Sequence, residues 1–413
     1  MFRKLVTYNE AKNIISQTLK PKPVGTQEIP LLEAHNRVLA QDVTSTLDIP
    51  PFNRSIVDGY AVQAQDTYGA EENQPAKITI CGTVNIGEIP QVTVAKGEAA
   101  EIVTGAPVPE GADAIVMIED TNKEGKDLLI YSSVTPNENI QKKGTDIKKG
   151  ETPLKTGTLL GSREIGVLAA LGMAKVKVYK IPIVAVLSTG GEVTEPGREL
   201  PPGKIFDINA YTLSTAVWES GGNPLYSGVV PDEKIELRKS LKKALASADM
   251  VLTSGGVSVG PKDIIPQTVD SLGNPGVFIS GIAVKPGKPA TIALIGEKPV
   301  FSFPGHPTSA LLIFHLLARP VLQVMAGRNP EEKATVKAVA ASRMFSAKGR
   351  HTFVTVKLKR DLSKKWIAEP VETGASGAIT TLAKADGFVE IPENQQFIDA
   401  DEEVTVFLFK EKQ

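Results

Sequence analysis

Residues 249–263 read DMVLTSGGVSVGPKD, and the reading of this stretch decides the fold. A short apolar run runs directly into paired glycines and hydroxyl side chains, then into a lone Lys-Asp pair. That is a buried strand breaking into a glycine loop, with a helix start expected at Asp263. The same pattern repeats on both sides. IPIVAVLSTG (181–190) is a strand ending in a glycine turn, and NAYTLSTAVWESGG (209–222) is a helix with Asn209 as its expected cap. LYSGVV (225–230) and EKIELRKSLKKALASA (233–248) give a second strand and helix. DIIPQTVDSLG (263–273) reads as a helix broken at Pro266, and VFSFPG leads into PTSALLIFHLLARPVLQVMAG (307–327), the longest helix. Strand and helix alternating at this spacing predict a doubly wound, mostly parallel sheet over residues 181–327.

The flanks have a different grammar. Residues 48–140 hold short β-branched runs cut by Gly, Pro and Asp (AKITICGTV, EAAEIVTG, DAIVMIED, DLLIYSS), which predict a β-rich insert. Residues 1–47 with 141–180 read as an N-terminal linker domain, helical around Leu5–Leu19 and again at SREIGVLAALG. After GRNPEE, segments such as HTFVTVKLKR and EEVTVFLFK alternate at period two, so 328–413 is expected to be a small β-barrel. The fold class is therefore multi-domain α/β plus β.

Composition narrows the function classes. Of 413 residues, 41% are hydrophobic and 23% charged, with a net charge of −1, so no global pull toward nucleic acid or an anionic membrane is expected. Cys81 is the only cysteine, which excludes an intrachain disulfide and a thiolate metal cage. The four histidines (35, 306, 315 and 351) lack metal-ligand spacing. The first twenty residues read as an amphipathic helix rather than a signal peptide, and no apolar run of about 18 residues stands out. The expected location is cytoplasmic.

In an open α/β sheet, ligands lie beyond the carboxyl ends of the strands, and four unusual loops fall on that edge. STGGEV (188–193) places Glu192 where a strand releases the chain. Ser254, Gly255, Gly256 and Ser258 form a concavity whose amides can face a phosphate, with Asp263 as either a helix cap or a cation ligand. In AVKPGKPA (283–290) a type II turn would hold Lys285 and Lys288 within about 7 Å. In SFPGHPTSA (302–310) Pro307 opens a helix, with Ser309 in the first turn beside free N–H groups. Within the insert, Asp58 of PPFNRSIVDGYAV and Thr104 and Asp113 of EIVTGAPVPEGADAIV sit in loops too rigid and apolar for routine surface turns.

Together, VDGYAV, IVTGAPVPEGADAIVM, KKGTDIKKG, STGGEV, GGVSVGPKD, KPGKP and FPGHPTSA resemble, in order, the molybdopterin molybdenumtransferase family. The resemblance implies a homodimer in which the α/β domain of one subunit faces the insert of the other. It implies insertion of molybdate into adenylylated molybdopterin, with hydrolysis of the adenylate, release of AMP and Mg²⁺ assisting. Carried over by position, Asp58, Thr104, Asp146, Glu192, Asp232 and Asp263 form the catalytic, acidic set, with Asp263 and Glu192 as metal ligands. Lys285, Lys288, Ser309, Arg350 and Ser376 form the molybdate and phosphate side. The chain departs from the family pattern at His306 (commonly Asn), Gly281 (often Lys), Gly191 (Asp) and NRS at 53–55. Tungstate is thus an alternative metal. Rival readings are a molybdopterin adenylyltransferase, which would be a partner enzyme if not this one, and a dimeric scaffold for a partner's peptide.

Overall fold

The computed structural model describes residues 5–256, 264–330, 334–371 and 379–409. The chain divides into two compact units, one of residues 1–28, 36–40 and 177–413, the other of 29–35 and 41–176.

The larger unit is organised by a six-stranded sheet. Its order is Asn223–Val230, Ile183–Thr189, Met250–Ser254, Lys298–Phe303, Thr291–Ile295, Pro275–Ser280. The first three pairings are parallel and the last two antiparallel, so the expected mostly parallel sheet is formed with a hairpin at one edge. Strand residues alternate between two cores, as a pleat requires. Val184, Val186, Met250, Leu252 and Phe301 pack under the helices at Asn209–Glu219 and Pro307–Met325. Ala185, Leu187, Val251 and Val300 pack under Lys234–Ser247 and Ile264–Asp270. Burial on both faces explains why these strands read as unbroken apolar runs.

The 307–325 helix opens at Pro307 as expected, but is not uniform. Phe314–Ala318 is a π turn, immediately before Pro320, whose ring has no N–H to donate to the preceding turn. This helix is long and apolar enough to cross a membrane, contrary to the expectation that no such segment exists. Yet 72% of its apolar window is buried in the fold, so its apolarity serves the core.

Three local expectations are corrected. Asn209 does not cap its helix; Ile208 is at the cap position, and Asp207 Oδ1 accepts the Ala210 N–H at 3.0 Å. A carboxylate is the better acceptor for a helix start, which leaves the Asn209 amide to donate elsewhere. Pro266 lies in the first turn of Ile264–Asp270, where no N–H is needed, and does not break it. The hydrogen-bonded turn lies at 287–290, two residues beyond the type II turn expected at 285–288. The Lys285–Pro286 peptide is cis, and the segment is closed by Ile282 N–H to Lys288 O and Ala290 N–H to Gly287 O.

The C-terminal strands Thr335–Ala340, His351–Arg360, Trp366–Pro370, Gly387–Ile391 and Glu403–Leu408 close into a barrel, because 351–360 pairs with both 366–370 and 387–391. Val284–Lys285, from the α/β layer, adds itself in parallel to the 351–360 strand. The Tyr8–Leu19 helix, begun by a Thr7–Glu10 capping box, places Tyr8, Ala11 and Ile15 in the same core as Phe353 and Phe388.

The smaller unit contains its own six-stranded sheet, ordered Ala114–Met117, Gly59–Val62, Glu98–Ile102, Ala76–Val84, Asp127–Ile130, Thr121–Glu124. The Ser162–Ala170 helix also belongs here, and the chain leaves it through Gly172 at φ +74°.

Candidate active site

At the carboxyl edge of the larger sheet, the ends of neighbouring strands are tied by side chains rather than left open. Ser188 donates to Asp207 Oδ1 at 2.8 Å. The Asn209 amide donates to Ser254 Oγ at 2.6 Å and to the Gly305 carbonyl at 2.7 Å, so one residue spans two of the four expected loops. Ser254 is 2% exposed, its hydroxyl held between Asn209 and the Pro304 carbonyl. The Gly255 N–H donates to Phe303 O. Ser254 and Gly255 therefore set the shape of the loop with groups that face inward. Gly255 itself has φ +94°, and a Cβ there would lie 2.3 Å from the Thr189 carbonyl oxygen.

Thr189 connects this loop to the acidic residues. Its hydroxyl lies 3.4 Å from the Ser254 carbonyl and also bonds to Asp232, which accepts the Gly191 N–H as well. Asp232 is raised above the ordinary carboxylate range, by desolvation first and by the charge of Glu192 second, and those two hydrogen bonds only partly offset the rise. Glu192 folds back over Gly190, where an added Cβ would meet its carboxylate at 2.9 Å. Two acid groups that repel each other at a strand end suit a divalent cation. Mg²⁺ takes only one or two carboxylates when phosphate and water complete its shell. Among the described residues no group of three or more His, Cys, Asp or Glu is arranged to hold a metal. The residues that fit are thus Glu192 and Asp232. Asp263 and Ser258 lie outside the described residues, as does Ser376.

The basic side is local too. Gly287 lies against Ile313, which brings the Lys285–Lys288 loop over the second turn of the 307–325 helix. Lys285 is exposed and Lys288 half-buried, while Ser309 is 4% exposed. Lys285 is in register with Thr352, and His351 N–H donates to Ala283 O, so half-buried Arg350 adjoins the lysine loop through strand pairing.

In the smaller unit, Asp58 Oδ1 accepts the Thr104 N–H at 2.6 Å and its hydroxyl at 2.7 Å. These bonds, the backbone one first, hold Asp58 below the ordinary carboxylate range. Asn53 joins the same edge to the 139–146 segment by accepting the Lys143 N–H, and exposed Asp146 donates its own N–H to Ile49 O. Asp113 has a structural task, accepting the Ala64 N–H at 2.7 Å. Thr104→Val should raise the Asp58 pKa toward the ordinary range by removing the hydroxyl. Stability from a depressed carboxylate is present above its unfolded pKa and lost as pH falls through the folded one. The variant should therefore lose stability at higher pH on acid titration, which an acid-unfolding curve reads; coincident curves would show that the bond contributes nothing.

Sequence reasoning missed Ser188, Asp207, Asn209 in its bridging role, and Thr189. In the sequence Asn209 reads as a helix cap and nothing more.

A doubly wound sheet with a glycine loop, a carboxylate pair and two lysines at one rim, followed by a closed β-barrel, defines an α/β protein whose sheet edge is built for an anionic ligand. Three family regions match along the chain: the MoeA N-terminal region (domains I and II) over 6–172, a probable molybdopterin-binding domain over 185–324, and the MoeA C-terminal region (domain IV) over 337–409. A putative molybdopterin biosynthesis protein of Methanocaldococcus jannaschii is 34% identical over 99% of this chain and 100% of its own length. A molybdopterin molybdenumtransferase of Nostoc is 33% identical over 92% of this chain and 88% of its own. The crystal structure of a molybdopterin biosynthesis MoeA protein from Pyrococcus horikoshii superposes with a TM-score of 0.87 at 41% identity, covering 99% of this chain and all of that one. The chain belongs to the MoeA family of molybdopterin molybdenumtransferases.

Proposed function

We propose that this protein inserts molybdate into adenylylated molybdopterin, with hydrolysis of the adenylate and release of AMP, and that it works as a Mg²⁺-dependent homodimer. The observation that carries this reading is the chain of contacts from Glu192 and Asp232, through Thr189 and Gly255, to Gly305, just ahead of the helix on whose Ile313 the lysine loop rests. Hydrolysis breaks one P–O bond of a phosphoanhydride as water adds, and AMP departs with the other phosphate left on the pterin. Negative charge must be neutralised at the breaking bond and at the incoming oxyanion. Mg²⁺, held by Glu192 and Asp232, would supply a Lewis acid at the phosphates. The chain's own work is separate: Asn209 and Thr189 fix the loop that receives the phosphate, and Lys285, Lys288 and Arg350 offer cationic donors to molybdate.

The experiment is AMP release from adenylylated molybdopterin with molybdate and tungstate titrated in parallel; no AMP with either oxyanion rejects the proposal. Lys285→Ala with Lys288→Ala should weaken the oxyanion dependence about tenfold at low salt and less at high salt, because exposed charges are screened. An effect independent of salt would mark damage to the loop instead. Light scattering should give twice the mass of one chain.

A further inference from the structure

The seam between the lysine loop and the C-terminal barrel holds a histidine that the phosphate and oxyanion chemistry leaves unused. His351 opens the barrel strand 351–360 and is 6% exposed. Its ring lies between two aromatics, with centroids 5.0 Å from Tyr8 and 4.9 Å from Phe353. Each ring nitrogen faces a carboxylate. Nδ1 is hydrogen-bonded to Glu393 Oε2 at 3.3 Å. Nε2 is 3.5 Å from Glu390 Oε2, yet it is buried and makes no hydrogen bond among the described residues. A neutral imidazole carries one N–H. With Glu393 accepting it, the Nε2 lone pair is left against the second carboxylate, and only the imidazolium can donate to both.

The backbone of the same residue holds the segment that carries Lys285. The His351 N–H donates to Ala283 O, and the Ala283 N–H donates to Val6 O on the opposite side. Val284 is in register with His351, and Lys285 with Thr352. Two residues past Val6, Tyr8 closes over the His351 ring, with Lys12 Nζ 4.6 Å from the Tyr8 centroid. The Tyr8 hydroxyl is pushed above its ordinary range by burial first and by Glu390 second, so Tyr8 stays neutral. The charged and titratable groups that face His351 are thus Glu390 and Glu393 on the barrel and Tyr8, with Lys12 behind it, on the N-terminal helix. Lys285 and Arg350 stand next to it in the paired strands.

We infer that His351 is a positioning residue for the oxyanion end of the site: its imidazolium, clamped by Glu390 and Glu393, tightens the strand pairing that sets Lys285, and loss of the proton loosens it. The anion role of Lys285 rests on the function proposed above; the clamp does not. Histidine is the side chain whose charge ordinarily changes between about pH 5 and 8, above the carboxylate range. Protonation supplies the donor that Nε2 lacks and draws Glu390 onto it. Glu390 is on the strand that pairs with 351–360, directly opposite Phe353, so the pull acts along the barrel seam. Deprotonation returns a lone pair to face Glu390 and pushes ring and strand apart. The added strand Val284–Lys285 is only two residues long, so it is the pairing that yields first.

Hydrogen exchange of the full chain at about pH 6 and about pH 8, corrected for the intrinsic pH dependence of exchange, reads the clamp without turnover. The amides of 283–285 and 351–352 should exchange about fivefold more slowly at the lower pH. His351→Gln should abolish that difference. Glu393→Gln, at a side chain 40% exposed and so tolerant of change, should reduce it. Molybdate affinity, read by calorimetry, should be about fivefold tighter at the lower pH in the parent chain and flat in His351→Gln. His306→Gln should keep both differences. Equal exchange at the two pH values in the parent overturns the inference, as does a difference that survives His351→Gln, ignores Glu393→Gln or vanishes in His306→Gln. Molybdate binding that ignores pH while exchange responds overturns the positioning role. Exchange that responds as described in a protein that binds no molybdate at either pH would reject the anion role of Lys285 and keep the clamp.

Discussion

Glu192→Gln combined with Asp232→Asn is expected to lower the AMP-release rate by about 100- to 1000-fold, the scale on which removal of charge-stabilising groups acts, and to leave the protein no less stable near neutral pH. The two outcomes have one cause. Asp232 is raised by desolvation and by Glu192, so its ionised form is disfavoured in the fold. A carboxylate raised in this way contributes stability that is fully present below its unfolded pKa and is lost as pH rises through its folded pKa. The neutral amide introduced by Asp232→Asn removes the penalty, while its oxygen still accepts from Gly191 and Thr189. Activity lost with stability kept is the signature of a group retained for chemistry. Added Mg²⁺ should raise the thermal midpoint of the parent chain and not that of the double variant. If the variant turns over at the parental rate, or if Mg²⁺ protects both equally, the carboxylate pair is not the cation site.

Much of the larger unit was legible because its physics is local. A strand buried on both faces must be apolar at consecutive positions, and 184–187 and 250–252 are. The strands at 59–62 and 121–124 were not legible. GYAV is only four residues long, and TNKE is polar because it is an edge strand with three of its four residues exposed. The site divides the same way. Glycines, Lys285, Lys288 and the acid at 192 could be picked out by composition of short loops. Asn209 could not, because its partners Ser254 and Gly305 lie 45 and 96 residues away and a cap and a clamp look identical in one dimension.

Gly255→Ala should be the most damaging single change at the loop, with a loss of about 2–4 kcal/mol in stability and about 100-fold or more in AMP release. Two independent penalties fall on one methyl group. The φ of +94° is one that L side chains rarely adopt, and the Cβ would lie 2.3 Å from a backbone oxygen, that of Thr189, which cannot swing aside as a side chain can. Thr189 belongs to the interior strand 183–189, paired on both sides, so relief has to come from displacing Gly255. That displacement would pull on the Gly255 N–H bond to Phe303 and on the Ser254 hydroxyl held by Asn209, the contacts that aim the loop. Gly256→Ala is the internal control. Its φ of +57° lies in the left-handed region that non-glycine residues can enter at modest cost, and its closest obstacle, 2.9 Å away, is the Cδ1 end of the Ile265 side chain. It should cost about 1–2 kcal/mol and keep a measurable rate. Urea unfolding and AMP release on both variants decide the matter. Gly255→Ala with parental activity, or Gly256→Ala as damaging as Gly255→Ala, would mean that the crossing of this loop over Thr189 does not set the geometry on which the reaction depends.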